Sequence, residues 1–379
     1  MKVYFDSAAT TSLDPLVVQE MLRFMTDDYG NPSSTHSFGR KTRASIDLAR
    51  KRVARHINAE PGEIIFTSGG TEADNMAILC SVHDLGIKHA ITSAIEHHAV
   101  LYPLEELARK GEIKLSIVDV DDKGHVDLDH LRQLLAENER SFVSLMHANN
   151  EIGNLLPLKK VGELCKEFNA VLHSDTVQTI AHYRMDVKDL NVHFITCAGH
   201  KFHGPKGCGF LYVSNEIKVN PLIRGGSQER NMRAGTENVY GIMGLAKALD
   251  LAYEHLDEHA EKILNLKRYM ADRIMNEFLG ASFNGDSLGS CLYTVLNVCL
   301  PETDKKEMLL FNLDIEGIAV SGGSACSSGS NVGSHVLTTI GSDPNRPSVR
   351  FSFSKLNTKE EVDYALEKLK AIYALPVMA

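Results

Sequence analysis

One lysine in the sequence lies where an amine can react with an aldehyde cofactor. Lys201 belongs to the Gly/His-rich segment 197–207 (CAGHKFHGPKG), which directly follows an apolar run typical of a strand. Burial lowers the pKa of a lysine amine enough to make it nucleophilic, and such an amine forms a Schiff base with an aldehyde. A lone lysine is nearly always a solvated surface residue, so its type alone decides nothing.

An aspartate precedes this lysine at an informative distance. Asp175 lies in residues 171–178 (VLHSDTVQ), again just past an apolar run, and Lys201 follows it by 26 residues. An acidic residue in this position can pair with the protonated pyridine nitrogen of a cofactor, and the spacing suits one helical crossover between strands. A helix N-cap is the commoner role of a single aspartate.

A third segment, residues 67–72 (TSGGTE), joins a predicted strand to a predicted helix. Its two glycines allow close backbone approach, and the helix start offers free N–H groups, so the segment suits a phosphate. An ordinary turn capped by Thr71 is the alternative, and alone it would be favoured. The pattern matches neither a Walker A loop nor G-x-G-x-x-G. The three segments together are far more specific than any one.

The histidines leave two interpretations open. His97 is large enough to stack on a cofactor ring, or it is a core histidine with satisfied hydrogen bonds, and the residues favour neither. Zinc binding by His97, His98, His200 and His203 is the competing account. No H-E-x-x-H, no C-x-x-C and no clustered Cys/His spacing is present, so no metal site is expected.

Short β-rich runs alternate with helical stretches through the first two-thirds of the chain, which predicts a mainly parallel sheet with helical crossovers. Beyond Gly226 a single helical stretch is predicted over about 239–279, followed by a small α+β region. At 379 residues two domains are expected. The predicted division is a large domain at 14–256 and a small domain comprising 1–13 and 257–379.

Composition excludes several classes of protein. The net charge of −9 argues against a general nucleic-acid or anionic-membrane binder. No run of eighteen apolar residues occurs, so no membrane span is expected. Asp6 interrupts the N-terminal apolar run before a signal-peptide core forms, and the seven cysteines are scattered and odd in number. Reduced thiols in the cytoplasm are the expected setting.

The chain resembles the cysteine desulfurases of the NifS/IscS type, which are fold-type I pyridoxal 5′-phosphate (PLP) enzymes of the class V aminotransferase group. The resemblance runs nearly end to end and rests on ordered motifs. These are residues 4–11 (YFDSAATT), 30–34 (GNPSS), 67–72 (TSGGTE), 96–97 (EH), 149–153 (NNEIG), 199–201 (GHK), 232–236 (MRAGT) and 324–326 (SAC). It implies a large domain with a mainly parallel seven-stranded sheet flanked by helices, plus a small α+β domain.

The resemblance also implies roles for particular residues around the cofactor. Lys201 would form the Schiff base, Asp175 would pair with the pyridine nitrogen, and His97 would stack on the ring. The phenolic oxygen side would face Asn150 and Gln178. The remaining implied ligands all serve the phosphate: Gly70 through its backbone, Thr71, His200 and, reaching into the neighbouring subunit of a homodimer, Thr236.

Arg350 matches the arginine that holds the substrate carboxylate, with Asn31 beside it, and a bidentate guanidinium contact suits that task. One departure affects the phosphate site, because the usual serine before Gly-His-Lys is Ala198. The hydroxyl of Thr196 or Ser68 is the expected compensation.

The implied activity is removal of sulfur from L-cysteine to give L-alanine and a persulfide on Cys326, for transfer to an acceptor or scaffold protein in iron–sulfur cluster or thiocofactor assembly. Only a thiolate attacks usefully, and His97 is the candidate acceptor of its proton. Cys326 lies in residues 321–335, where four glycines and six serines predict a mobile loop. The alternatives are another PLP lyase or aminotransferase, including a selenocysteine lyase, and a non-catalytic sulfur carrier. Neither the acceptor nor the choice between cysteine and selenocysteine follows from the sequence.

Overall fold

The architecture is an α/β fold whose elements follow from the patterns above. In the computed structural model, residues 1–322 and 333–374 are described. The strands in these ranges are β1 (Val3–Tyr4), β2 (Ile64–Thr67), β3 (His89–Ser93), β4 (Lys114–Val118), β5 (Ser141–Ser144), β6 (Val171–Asp175), β7 (Phe194–Ala198), β8 (Gly209–Val213), β9 (Ser282–Phe283), β10 (Val295–Cys299), β11 (Ile318–Ala319) and β12 (Ser348–Ser352). The helices there are α1 (Pro15–Thr26), α2 (Ser37–His56), α3 (Gly70–Asp84), α4 (His98–Arg109), α5 (Leu128–Ala136), α6 (Leu158–Glu167), α7 (Gln228–Asn231), α8 (Val239–Glu254), α9 (Leu256–Glu277), α10 (Leu309–Ile315), α11 (His335–Thr339) and α12 (Lys359–Ala374).

Seven strands form the main sheet, in the order β2-β8-β7-β6-β5-β3-β4. Every neighbouring pair is parallel except the two that involve β8. Strands β6 and β7 pair from His173 with Phe194 to Asp175 with Thr196, so their carboxyl ends lie side by side. The predicted mainly parallel seven-stranded sheet is confirmed.

A second, smaller group of strands comes from the two ends of the chain. Strands β9, β10 and β12 form an antiparallel sheet, and β1 pairs in parallel with β11. Phe5, Met270, Leu296, Phe351 and Leu366 belong to one buried cluster here, separate from the clusters around the main sheet. The domain boundaries at 13/14 and 256/257 stay a prediction.

The single helix predicted over 239–279 is wrong, because two helices meet at His255, whose φ of −110° and ψ of 20° interrupt them. Helix α8 buries Leu245 and Leu249 in the cluster of the main sheet. Helix α9 buries Met270 and Ile274 in the cluster of the smaller sheet. The break at His255 therefore lets the two helices pack into two different buried clusters. No helix of the described ranges is both long and apolar enough to cross a membrane.

Candidate active site

A cavity of about 270 Å³ opens beside the carboxyl ends of β6 and β7. Asp175 is the last residue of β6, and Lys201 ends the 3-10 turn that follows β7. Because parallel strands end at one edge of a sheet, residues 26 positions apart line one cavity. Nine predicted site residues line it: Gly70, Thr71, His97, Asn150, Asp175, Gln178, His200, Lys201 and Arg350.

Asp175 is buried, and its Oδ1 accepts a 2.9 Å hydrogen bond from the backbone N–H of Val177. A turn rather than a helix follows it, so the N-cap alternative does not apply. Burial, reinforced by the Asp74 carboxyl and opposed by His97, raises the pKa of Asp175 to about 6. A negative charge here needs a positive partner, which a protonated ring nitrogen supplies.

The Lys201 amine is held against the N-terminal segment. Its Nζ donates to the carbonyl oxygens of Ala8, at 2.5 Å, and Ala9, at 3.0 Å. The Ala8 oxygen also accepts from Gln178 Nε2 at 3.1 Å. Sequence reasoning gave these two carbonyls no role, although residues 4–11 were among the motifs of the resemblance. Backbone acceptors carry no side-chain signal, so only the motif pointed to them.

His97 precedes α4, and its Nδ1 accepts a 3.1 Å hydrogen bond from the backbone N–H of Ala99. Since a backbone N–H only donates, Nδ1 is unprotonated and the proton of the neutral ring is on Nε2. Burial lowers the pKa of His97, which keeps the ring neutral at pH 7. The only lone pair of the ring is therefore engaged in capping α4. This arrangement does not provide the proton acceptor that the sequence proposed at His97, and it leaves the stacking role open.

The predicted phosphate site is the N-terminus of α3. Gly70 is its first residue, Gly69 before it has φ of +152°, and Thr71 is exposed. Glu72 in this first turn would repel a phosphate, but Arg233 pairs with both of its oxygens at 2.8 and 3.1 Å. Helix α3 is fifteen residues long, and its N-terminus borders the cavity.

The hydroxyls expected to compensate for Ala198 are directed elsewhere. Thr196 Oγ1 is buried and lies 3.1 Å from His173 Nε2, on the sheet side of the cavity wall. Neither Thr196 nor Ser68 lines the cavity. His200 does line it, with its Nδ1 3.1 Å from Thr10 Oγ1. The expected compensation by Thr196 or Ser68 is therefore absent from this arrangement.

Arg350 on β12 is 1% exposed. Its Nη1 donates to the Asn150 carbonyl at 2.8 Å, and its Nη2 to Asp6 Oδ1 at 2.7 Å. Its buried Nε has no hydrogen-bond partner within the described ranges. An unsatisfied guanidinium donor at a cavity wall suits an incoming carboxylate. Asp6 is a partner that sequence reasoning gave no role.

Two of the predicted residues that the structure describes are not in this cavity. Thr236 is exposed and lines a different cleft, with Ser68 and Arg233. Asn31 is exposed, and its Oδ1 accepts from the backbone N–H of Ser33 within its own loop, so the structure does not place it beside Arg350. Cys326, with most of the predicted mobile loop, lies outside the described residues.

Both described ends of the segment that carries Cys326 contact this site. On one side, Ser321 exchanges backbone hydrogen bonds with Arg350 and donates its hydroxyl to Asp6 Oδ1 at 2.8 Å. On the other side, Ser334 donates its hydroxyl to Glu151, and His335 Nε2 donates to the Glu96 carbonyl at 2.9 Å. The chain therefore leaves and re-enters the described structure next to the cavity.

Comparison with known proteins gives one consistent result. Residues 3–365 match the family described as aminotransferase class-V. A protein from Clostridium botulinum named cysteine desulfurase IscS is 44% identical over 98% of this chain and 94% of its own length. A solved structure titled NifS-like protein has a TM-score of 0.90 and 38% identity, covering 98% of this chain and 99% of that one. Another, titled SspA in complex with cysteine, has a TM-score of 0.81 and 30% identity over 94% of this chain and 100% of that one.

Proposed function

The chain belongs to the aminotransferase class-V family, among its cysteine desulfurases, and from that premise we propose that it moves sulfur from L-cysteine to its own Cys326. The observation that carries the proposal is one cavity that holds Lys201 and Asp175 and meets both described ends of the Cys326 segment. L-Alanine is the second product.

The residues of the cavity fit PLP, which is the cofactor of this family. Lys201 supplies an amine for its aldehyde, Asp175 a buried carboxylate for its ring nitrogen, and the N-terminus of α3 a set of N–H donors for its phosphate. His97, Asn150, Gln178 and His200 border the same space. When bound, PLP withdraws electrons from the substrate Cα.

The protein groups supply binding and proton transfer. We assign Arg350 Nε to the substrate carboxylate, since it is the one nitrogen of that guanidinium without a hydrogen-bond partner among the described residues. Lys201 Nζ, which lines the cavity, would take the proton from the substrate Cα. The Ala8 and Ala9 carbonyls position that amine.

The sulfur-transfer step needs no external oxidant, because the bonds formed and broken balance in atoms and electrons. The Cys326 thiolate attacks the substrate sulfur, the S–S bond forms as the Cβ–S bond breaks, and the carbon product takes up a proton to become alanine. The overall change is L-cysteine plus enzyme thiol giving L-alanine plus enzyme persulfide. An acceptor protein then takes the outer sulfur.

The setting of the reaction is part of the proposal. Thr236 is exposed and outside the cavity of its own chain, which supports a homodimer in which it reaches the partner's phosphate site. The six described cysteines are free thiols, which supports the reducing cytoplasm. Iron–sulfur cluster or thiocofactor assembly is the proposed destination of the sulfur.

The test compares wild type with Cys326→Ala, using Cys291→Ala as the matched thiol control. Purified proteins are incubated with PLP, L-cysteine and a reductant, and sulfide and alanine are measured. Loss of the nucleophile should lower sulfide release at least about 100-fold, with the absorbance of bound cofactor unchanged. Equal release from Cys326→Ala would rule out the persulfide role and favour another PLP lyase.

Lys201→Ala checks the cofactor assignment in the same series. The absorbance band of the bound cofactor should disappear, since no other described amine lines the cavity. An unchanged band would contradict the assignment.

A further inference from the structure

A second carboxyl group lies beside Asp175, and nothing above gives it a role. Asp74 is on α3, is 1% exposed, and still borders the cavity. Its Oδ1 makes no hydrogen bond within the described ranges, although His173 Nε2 lies 3.3 Å away. A buried carboxylate oxygen without a donor is costly, so the charge state of Asp74 needs an explanation.

The groups that face Asp74 do not neutralise a second negative charge. Oxygen atoms of Asp74 and Asp175 and a ring nitrogen of His97 all lie within 4.8 Å of one another. Glu96 adds a further buried carboxyl, and Thr196 a hydroxyl. Burial lowers the pKa of His173 to about 4 and lowers that of His97 too, so both rings are neutral near pH 7. Lys201 lines the same cavity, and in the proposed function its amine binds the cofactor.

Two carboxyl groups this close in a buried site do not both ionise at neutral pH, and one keeps a proton. Asp175 has the better support for a charge, because it accepts the Val177 N–H. Asp74 has one oxygen that accepts no hydrogen bond from any described residue. The pKa values rank the pair in the same order, with burial raising that of Asp74 to about 7 and that of Asp175 to about 6.

We propose that Asp74 is a positioning residue that stays neutral beside Asp175 and so leaves Asp175 as the single negative charge facing the ring nitrogen. This inference rests on the proposed function, which assigns Asp175 to that nitrogen. A neutral Asp74 needs no donor at its unpartnered Oδ1, and its carboxyl group keeps the hydrogen bond with the Thr196 hydroxyl. Asp74 and Asp175 together then carry one negative charge, which matches the one positive charge of the protonated ring nitrogen.

Infrared spectroscopy of the holoenzyme at pH 6 tests the charge state directly. A protonated carboxyl gives a C=O stretching band distinct from the carboxylate bands, and labelling aspartate side chains with 13C shifts that band if it belongs to an aspartate. The labelled wild type should show a shifted acid band that Asp74→Asn lacks. Glu96→Gln, the matched control for the other buried carboxyl, should keep it. The absence of any acid band that shifts on aspartate labelling would overturn the proposal, even if Asp74→Asn fails to fold.

Cofactor binding separates this inference from the proposed function. An amide imitates the neutral acid, so Asp74→Asn should bind PLP within about threefold of wild type, as judged by absorbance titration. Asp175→Asn should weaken binding at least about tenfold by removing the charge. Loss of affinity in Asp74→Asn equal to that in Asp175→Asn would refute the neutral role. Unimpaired binding in Asp175→Asn would refute the proposed function instead.

Discussion

Arg350 places a positive charge at the cavity wall, where only part of its hydrogen-bonding capacity is used. Asp6 and the Asn150 carbonyl hold the two terminal nitrogens, and Nε has no hydrogen-bond partner in the part of the chain that the structure describes. The ion pair fixes the plane of the guanidinium before substrate arrives, so little side-chain entropy is lost on binding. The same Asp6 oxygen accepts from Ser321, which ties this arginine to the start of the Cys326 segment.

Replacing this arginine should therefore weaken substrate binding more than it slows the chemistry. Arg350→Gln is expected to raise KM for L-cysteine about 100-fold, because a hydrogen bond to a charged group contributes on the order of 1.5–3 kcal/mol. The cofactor absorbance should persist. Steady-state kinetics provides the measurement, with the exposed Arg184→Gln as the control arginine. A fall in kcat at unchanged KM would contradict the assignment.

Among the secondary-structure elements, α7 contains an unusual turn that a buried ion pair stabilises. Glu229, Arg230 and Asn231 have φ of 44°, 58° and 67°, a left-handed conformation that side chains disfavour. Arg50 from α2 donates to both oxygens of Glu229 at 2.7 Å, and both side chains are nearly fully buried. The turn leads on to Arg233, which neutralises Glu72 at the phosphate site. The pair thus connects α2 to the N-terminus of α3.

Breaking that pair should cost stability, because it leaves the buried charge of Arg50 without the opposite charge of Glu229. Glu229→Gln is expected to lower the free energy of unfolding by about 3–5 kcal/mol, measured by urea titration. Glu167→Gln, which breaks an exposed pair with Arg132, is the control and should leave the midpoint unchanged. Equal midpoints for the two variants would show that the buried pair does not hold the turn.

The elements show what a sequence does and does not reveal. Strand β8 can be read from the sequence, because its apolar run begins at a glycine and ends at polar residues. The helix break at His255 carried no glycine or proline signal, because it arises from two separate cores. Asp74 was missed for a related reason: an acidic residue on a predicted helix is expected at the surface, and only the packing of α3 against the sheet buries it.

For the molecule as a whole, neutral histidines buried in the fold dominate the expected response to acid. Burial lowers the pKa to about 4 at five of them: His147, His173, His182, His200 and His203. A depressed folded-state pKa stabilises the protein above the unfolded value of about 6.5, and that stability is lost as the pH falls toward 4. Four carboxyl groups with raised pKa values, Asp74, Glu96, Glu151 and Asp175, act in the opposite direction, since they stabilise the fold as the pH falls. They are fewer, so acid should destabilise the protein.

His182 isolates one such contribution, because burial of its ring lowers its pKa to about 4 and its Nδ1 lies 2.9 Å from the Tyr293 hydroxyl. Between pH 6 and pH 5 the unfolded chain binds a proton at this histidine that the folded protein does not. His182→Gln should therefore flatten the fall in unfolding free energy by up to about 1.4 kcal/mol per pH unit. Urea titrations at fixed cofactor concentration measure both slopes, and His83→Gln, at a side chain that is 54% exposed, should keep the wild-type slope. Parallel slopes for wild type and His182→Gln would show that this buried ring takes up its proton without unfolding.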